Sequence, residues 1–406
     1  MKCKYCKSKL KNIFLDLGKM PLANSNLKKN EFKYEKKYIL KIYVCKKCWL
    51  VQTKDVINNK EVFNNEYSYF SSVSSGWLKH AKKYVQNIIK DLNLNHKDFI
   101  IEIASNDGYL LKNFKERGFN YIGIEPTKST AKIAQKQGIK TIIDFFTYNL
   151  AKKMSLNKKA KLIIANNVYA HIPDVHDFTK GLKVLLSNNG VITLEFQHLL
   201  NILKKKQFDT VYHEHYYYYS VIYLTKIFKN YGLKIWKIEK IKTHGGSLRI
   251  YACHDYSNRK IYSSVKKIIF EEKNFGLDKI QTYLKYNDNI KDIKLNFKNF
   301  LRKKIISNKK VYAYGAPAKG NTFLNYCNIK SPSILGTFDM SPLKMNKYLP
   351  GSHIKIHSPN NIKKFEIDYL IILPWNIKRE IVNFVKKKTN NKKIKFVTAI
   401  PNLKIE

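Results

Sequence analysis

The chain has 406 residues, 44% of them hydrophobic, enough for two or three domains with cores of their own. No apolar run approaches the ~20 residues of a membrane span, and the N-terminus lacks the apolar core of a signal peptide, so a soluble, cytoplasmic protein is expected. The formal charge of +46 invites a nucleic-acid reading, yet only five of the 76 basic residues are Arg, the favoured bidentate reader of phosphates and guanine edges, and the lysines are spread along the whole length. Neither nucleic acid nor a membrane is expected as a partner.

Two C-x-x-C pairs, Cys3 with Cys6 and Cys45 with Cys48, open the chain. Disulfides are rare in a reducing cytosol, and each pair has the reach to clamp a metal ion through thiolates. A closed four-thiolate site fills every coordination position, which points to structural zinc, with redox chemistry as the alternative. Residues 1–75 form the expected zinc-binding module, with too little core to fold without its metal. Its last stretch, Asn65 to Gly76, is rich in hydroxyls and precedes a helix predicted from about Trp77 to Asp91. It reads either as a capping loop or as the polar lining of a pocket, through Tyr67, Tyr69, Ser71 and Ser72.

Residues 76–256 alternate strand and helix, which predicts a mostly parallel α/β sheet. Phe99 to Gly108 is an apolar strand followed by a small-polar-Gly loop, and a second strand, Tyr121 to Ile124, ends at Glu125. A carboxylate there can accept both hydroxyls of a ribose, and Gly108 lets the backbone approach a ligand closely. No G-x-G-x-x-G is present, and the loop formed by Glu102, Ser105, Asn106, Asp107 and Gly108 suits S-adenosylmethionine better than a dinucleotide. Asp144 and Phe145, at a third strand end, are candidates for adenine contact, although core packing also explains the phenylalanines. Leu162 to Val168 is another strand, carrying Asn166 and Asn167, with His171 beyond it. Val191 to Phe196 follows, with Glu195 and His198 at its end. Residues 212–220 then read Y-H-E-H-Y-Y-Y-Y-S, the densest run of proton-handling side chains in the chain. His215 is the natural general base, with Glu214 and Tyr212 beside it.

A hairpin, Ile235 to Ile241 with Ser247 to Cys253, is expected to close this sheet. Cys253 and Cys327 read as buried free thiols. Residues 257–308 have amphipathic, lysine-rich helical character and form the expected connector. Residues 309–406 repeat the strand, glycine loop and helix scheme at Lys310 to Thr322. Backbone amides after Gly315, with Lys319 and Asn321, either cradle a phosphate or sugar nucleotide or simply form a glycine loop without ligand.

Taken in order, the zinc knuckles, E-x-x-S-N-D-G, G-I-E-P, A-x-N-V-x-A-H-I, Y-H-E-H-Y, T-H-G-G-S-L-R and Y-G-A-x-A-K-G-N-T make the chain resemble the sugar C-methyltransferases that build branched deoxysugars on a nucleoside diphosphate carrier. The resemblance runs nearly end to end. It implies an α/β protein: a class I S-adenosylmethionine-dependent methyltransferase sheet of Rossmann-like form, a small N-terminal zinc module and a C-terminal Rossmann-like domain. It further implies methyl transfer to C3 of a 4-keto sugar, probed best as a thymidine diphosphate conjugate, through an enolate. His215 then serves as base, Glu214 tunes or orients it, Tyr212 assists proton transfer, and His171 and Tyr67 position the sugar or polarise its ketone. A monomer is expected. Another activated ketone is the alternative acceptor, and RNA a more distant one. The chain departs from the family at the glycine that commonly opens the cofactor loop, which is Ala104 here. Its methyl group is tolerated if φ stays negative.

Overall fold

The computed structural model describes residues 1–54, 70–389, 391 and 393–406, so Tyr67 and Tyr69 lie outside the described residues. Two compact units interleave along the chain: Met1–Lys11, Val44–His198 and Tyr216–Ile280 in the first, and Asn12–Tyr43, Leu199–His215 and Gln281–Glu406 in the second.

The first unit is built on seven strands: β1 (Phe99–Ile103), β2 (Asn120–Ile124), β3 (Thr141–Ile142), β4 (Ala160–Asn166), β5 (Leu186–Gln197), β6 (Leu233–Ile241) and β7 (Ser247–His254). Their order across the sheet is β6-β7-β5-β4-β1-β2-β3. The strands from β1 to β5 pair in parallel, and β7 runs antiparallel to both β5 and β6. Ile100, Ile101 and Ile103 of β1 and Leu162, Ile163 and Ile164 of β4 are all buried, the continuous apolar pattern of strands covered on both faces. The predicted hairpin is present as β6 and β7, paired from Leu233 with His254 to Ile241 with Ser247.

Helix α1 (Ser75–Leu92) covers one face of that sheet. Ser74 caps it by accepting the Trp77 N–H, and it ends at Asn93 in the left-handed region. Its buried stripe of Ala81, Tyr84, Val85, Ile88 and Leu92 follows the helical period and joins a core with Ile100, Phe114 and Tyr121. The tyrosine run of residues 216–219 is largely structural. Tyr217, Tyr219 and Tyr223 stack at centroid separations of 5.8 Å each, with Tyr169 4.8 Å from Tyr219, and all four rings are buried. Cys253 and Cys327 are buried thiols, as expected.

The second unit carries a six-stranded sheet: β8 (Val311–Tyr314), β9 (Thr337–Phe338), β10 (Ile356–His357), β11 (Tyr369–Ile372), β12 (Lys395–Thr398) and β13 (Lys404–Ile405). The order is β10-β9-β8-β11-β12-β13, parallel except for β13. Helix α2 (Tyr286–Ile306) spans much of the segment expected to be helical, and helix α3 (Ala318–Tyr326) follows the glycine loop after β8. Also in this unit, Phe14 of the strand Asn12–Met20 packs its ring against Tyr283 and Tyr286, at 5.5 and 4.9 Å.

Candidate active site

In an open α/β sheet, ligands gather outside the carboxyl ends of the strands where the strand order reverses. Here the reversal falls between β1 and β4. The loop after β1 therefore stands at the expected place, and its geometry is tightly specified. Glu125, just after β2, accepts the Asn106 N–H at 2.9 Å on one carboxylate oxygen and the Thr127 N–H at 2.8 Å on the other. The hydroxyls of Thr127 and Thr130 also reach this carboxylate. Burial pushes the Glu125 carboxyl up, against the pull of those two amides. Gly108 sits at φ +79°, and an added Cβ would come within 2.9 Å of Ile139 Cγ1. No other residue fits there without displacing the core.

Ser71 and Ser72, in the described part of the hydroxyl-rich stretch, close over this loop. Their amides donate to Asn106 Oδ1 at 3.0 Å and to Asp107 Oδ2 at 3.1 Å. Glu102 is fully buried. Burial pushes its carboxyl well above the ordinary carboxylate range, and the charges of Asp107 and Glu125 push it further. Five buried polar atoms line this edge with no hydrogen-bond partner among the described residues: Glu102 Oε2, Ser105 Oγ, Asp107 Oδ1, Asn166 Oδ1 and Asn167 Nδ2. Asn167 adopts φ +55° while its amide donates to the Glu195 carbonyl at 2.8 Å, which fixes the end of β4 beside β5. A cluster of carboxylates and unpaired polar atoms at the sheet's switch point fits a ligand that brings hydroxyls and positive charge. Adenosylmethionine carries both, as ribose hydroxyls, an ammonium and a sulfonium.

Ala104 overturns one expectation. Its φ is +56°, in the left-handed region, so the alanine occupies the conformation for which a glycine is suited. An L-residue there costs about 1 kcal/mol. Ala104→Gly is expected to raise the urea midpoint by an amount equivalent to about 1 kcal/mol, with cofactor affinity retained or improved. A lowered midpoint would show that the strain is absent.

The adenine candidates separate. Asp144 lies exposed just beyond β3, its Oδ1 accepting the Phe145 N–H at 2.7 Å, and Phe145 is half-buried. Phe146 is core, edge-on to Phe178 at 4.9 Å. Glu195 and His198, expected at a ligand-facing strand end, have structural partners. Glu195 pairs with Arg249 and with His80, whose Nε2 lies 3.0 Å away, and His198 Nε2 donates to Glu272 Oε1 at 2.7 Å. Glu272 in turn accepts the N–H groups of Val221 and Ile222 at the start of the helix Val221–Asn230. His171 sits half-buried five residues after β4, its N–H bonded to the Val168 carbonyl.

The boundary between the units runs through the proton-handling motif, with Tyr212 to His215 in the second unit and Tyr216 onward in the first. Within the second unit, His215 Nδ1 lies 3.0 Å from the Thr210 carbonyl oxygen. A carbonyl only accepts, so Nδ1 carries the proton and Nε2 is the basic nitrogen. The Tyr212 ring lies against His215, centroids 4.0 Å apart. Glu214 is buried, and Asn24 Nδ2 donates to both its carboxylate oxygens at 2.7 and 2.9 Å. Burial pushes Glu214 up to about 7, opposed by Asn24 and by the charge of Lys344. His213 is pushed down to about 4 by burial and points to the Tyr38 carbonyl, which removes it as a base near neutrality.

The glycine loop after β8 is tied to its own protein. The Ala316 amide donates to Asp339 Oδ2 at 2.6 Å, Pro317 has no N–H, and Asn321 Nδ2 donates to the Ala23 carbonyl. Lys319 bonds Asn376 Oδ1 at 2.8 Å. Of the two readings of this loop, the one without a phosphate on its first amides matches these bonds.

At the N-terminus, the four cysteine sulfurs lie within 4.8 Å of one another, with Cys3 3.6 Å from Cys48 and Cys6 3.4 Å from Cys45. A tetrahedral zinc with bonds of ~2.3 Å separates its sulfurs by ~3.8 Å. The two knuckles repeat one backbone design. Cys3 N–H donates to Ser8 O and Lys7 N–H to Cys3 O; Cys45 N–H donates to Leu50 O and Trp49 N–H to Cys45 O. Lys7 and Trp49 both take φ near +60°, at 59° and 68°. Gln52 Nε2 adds a donor to Cys3 Sγ at 3.2 Å. The donor set and its spacing fit zinc.

A seven-stranded sheet of this order, with β7 reversed and an acidic loop at its switch point, defines a class I adenosylmethionine-dependent methyltransferase. The chain matches three families in succession: a zinc binding domain over residues 3–63, a methyltransferase domain over 77–238 and the C-methyltransferase C-terminal domain over 242–401. With these three domains in order, the chain is an adenosylmethionine-dependent C-methyltransferase. It is 29% identical to the C-methyltransferase NovU of Streptomyces niveus over 96% of this chain and 93% of that one. Among solved structures, magnesium protoporphyrin IX methyltransferase from Synechocystis PCC 6803 with bound SAM matches 50% of this chain and 100% of its own, at 15% identity and a TM-score of 0.38. A SAM-dependent methyltransferase from Anabaena variabilis ATCC 29413 matches 50% and 97%, at 16% identity and a TM-score of 0.39. Among the described residues no helix is long and apolar enough to cross a membrane.

Proposed function

We propose that this C-methyltransferase acts on a nucleotide-linked 4-keto-deoxysugar, removing the proton at C3 to form an enolate that takes the methyl group. The observation that carries the reading is the tautomer of His215: its Nδ1–H donates to the Thr210 carbonyl, so the basic nitrogen of the neutral ring is Nε2. Carbon methylation needs such a base, because a C–H carbon has no lone pair until its proton is gone. A neighbouring ketone makes that proton removable by delocalising the charge onto oxygen, and donors near that oxygen lower the barrier further.

His215 Nε2 takes the C3 proton. Tyr212, whose ring lies tilted against the imidazole, donates to the enolate oxygen or relays the proton, and Glu214, pushed up to about 7 by burial, is a second proton store. His171, and Tyr67 outside the described residues, are assigned to positioning the sugar and polarising its ketone. Glu102, Ser105, Asn106, Asp107, Gly108 and Glu125 hold adenosylmethionine, with Asn166 and Asn167 beside them and Asp144 and Phe145 toward its base. When bound, the cofactor supplies an electrophilic methyl group.

Incubating the zinc-loaded protein with adenosylmethionine and a thymidine diphosphate 4-keto-6-deoxyhexose tests the substrate class. The expected product carries one new methyl carbon attached at C3, located by NMR. Cofactor binding without a methylated sugar would reject the sugar and turn the search to other activated ketones.

A further inference from the structure

Glu214 ends a hydrogen-bond chain that no sequence motif announces. Asn24, which clamps its carboxylate, follows Ala23, and the Ala23 carbonyl accepts Asn321 Nδ2 at 2.6 Å. The next residue of α3, Thr322, donates its hydroxyl to the Val211 carbonyl at 3.0 Å, three residues before Glu214. Asn321 and Thr322 are both buried. Their helix is fastened in turn: Asn325 Nδ2 donates to the Asn321 carbonyl at 2.8 Å and to the Pro350 carbonyl at 3.0 Å. At the start of the same loop, Phe208 packs its ring 4.8 Å from Tyr326 and 6.3 Å from Phe323. Asp209 accepts the Trp375 indole N–H at 2.7 Å. Lys344, whose charge acts on Glu214, donates to the Ala316 carbonyl in the glycine loop at 2.9 Å.

A helix that serves a phosphate keeps its first turn open to the ligand. Here Asn321 and Thr322, the fourth and fifth residues of the helix, are buried and hold two distant segments, residues 23–24 and 208–214. We propose that helix α3 with its glycine loop is a positioning element for the proton-handling loop: Asn321 and Thr322 fix Ala23 and Val211, and Asn24 thereby holds the Glu214 carboxylate in place. Asn24, Asn321 and Thr322 are positioning residues, since they act through Glu214 and its loop. This proposal rests on the catalytic reading of that loop.

Two readouts test it on the full-length, zinc-loaded protein. The first is independent of any substrate: the Glu214 carboxyl carbon is followed by 13C NMR against pH, with Glu214→Gln identifying its resonance. Both Asn24 bonds favour the ionised carboxylate, Lys344 supports them, and His213 and His215 flank the group in the loop. Losing the clamp leaves burial less opposed, so Asn24→Leu is expected to raise the midpoint from about 7 by about one pH unit. Asn24→Ser shifts in the same direction and replaces the leucine variant if circular dichroism shows that variant unfolded. An unmoved midpoint in a folded variant overturns the clamp, whatever the substrate proves to be. The second readout is turnover of the thymidine diphosphate 4-keto-6-deoxyhexose. Thr322→Val is expected to lower kcat by about tenfold or more, with cofactor Kd and sugar KM within about twofold, and Thr322→Ser to restore it. Wild-type kcat in Thr322→Val overturns the helix's part. A wild-type protein inert toward this sugar rejects the proposed substrate instead, and the NMR midpoint still decides the clamp.

Discussion

Replacing His215 with asparagine is expected to lower kcat by about 10³-fold while leaving the fold and cofactor affinity intact. The asparagine amide can still donate to the Thr210 carbonyl that now accepts the imidazole Nδ1–H, so the loop keeps its anchor. What is lost is the second nitrogen, the proton-accepting atom of the neutral imidazole. Calorimetry of adenosylmethionine binding gives the control, because the residues proposed to hold the cofactor, Glu102 to Gly108 and Glu125, belong to the first unit. Retained turnover in His215→Asn would remove the base assignment and leave Glu214, pushed up to about 7 by burial, as the next candidate.

Removing zinc is expected to be equally severe, but through folding. The four thiol groups of Cys3, Cys6, Cys45 and Cys48 meet within 4.8 Å and join two separate segments of the first unit, Met1–Lys11 and the chain from Val44 onward. Zinc bound to such a site contributes roughly 10–16 kcal/mol of apparent folding free energy. One zinc per chain is expected by elemental analysis. A strong chelator, or Cys45→Ser, should unfold the cysteine module, exposing its thiols to a colour reagent and lowering the first thermal transition. Full zinc removal with an unchanged melting curve would show that the knuckles are held by their backbone turns alone.

Much of the first unit is legible in the sequence because its signals are local. The runs Phe99–Ile103 and Ala160–Asn166 are apolar enough to be parallel strands buried on both faces, and Gly108 marks the turn where a Cβ has no room. The cysteine spacing likewise carries its own geometry. Harder to read is anything set by tertiary neighbours. The sign of φ at Ala104 follows from the way the loop leaves β1, and nothing in the residue type signals it. Asn24 meets Glu214 across 190 residues, and Asn321 meets Ala23 across 298, so neither pairing has a local pattern. Glu195 stands at a strand end, where ligands gather, yet its carboxylate pairs with Arg249 and hydrogen-bonds His80. The tyrosine run shows the same division. Tyr212 stands by His215, whereas Tyr217 and Tyr219 fill the core.

The measurement that bears most directly on enolate chemistry is proton exchange at C3 in heavy water. The zinc-loaded protein is mixed with the thymidine diphosphate 4-keto-6-deoxyhexose, first without and then with adenosylmethionine, and C3 is followed by NMR and mass. Wild-type protein should wash deuterium into C3 without cofactor and place a methyl group there when cofactor is added, and His215→Asn should do neither. A methyl group transferred while the C3 proton stays in place, or exchange that persists at the wild-type rate in His215→Asn, would contradict removal of that proton by His215.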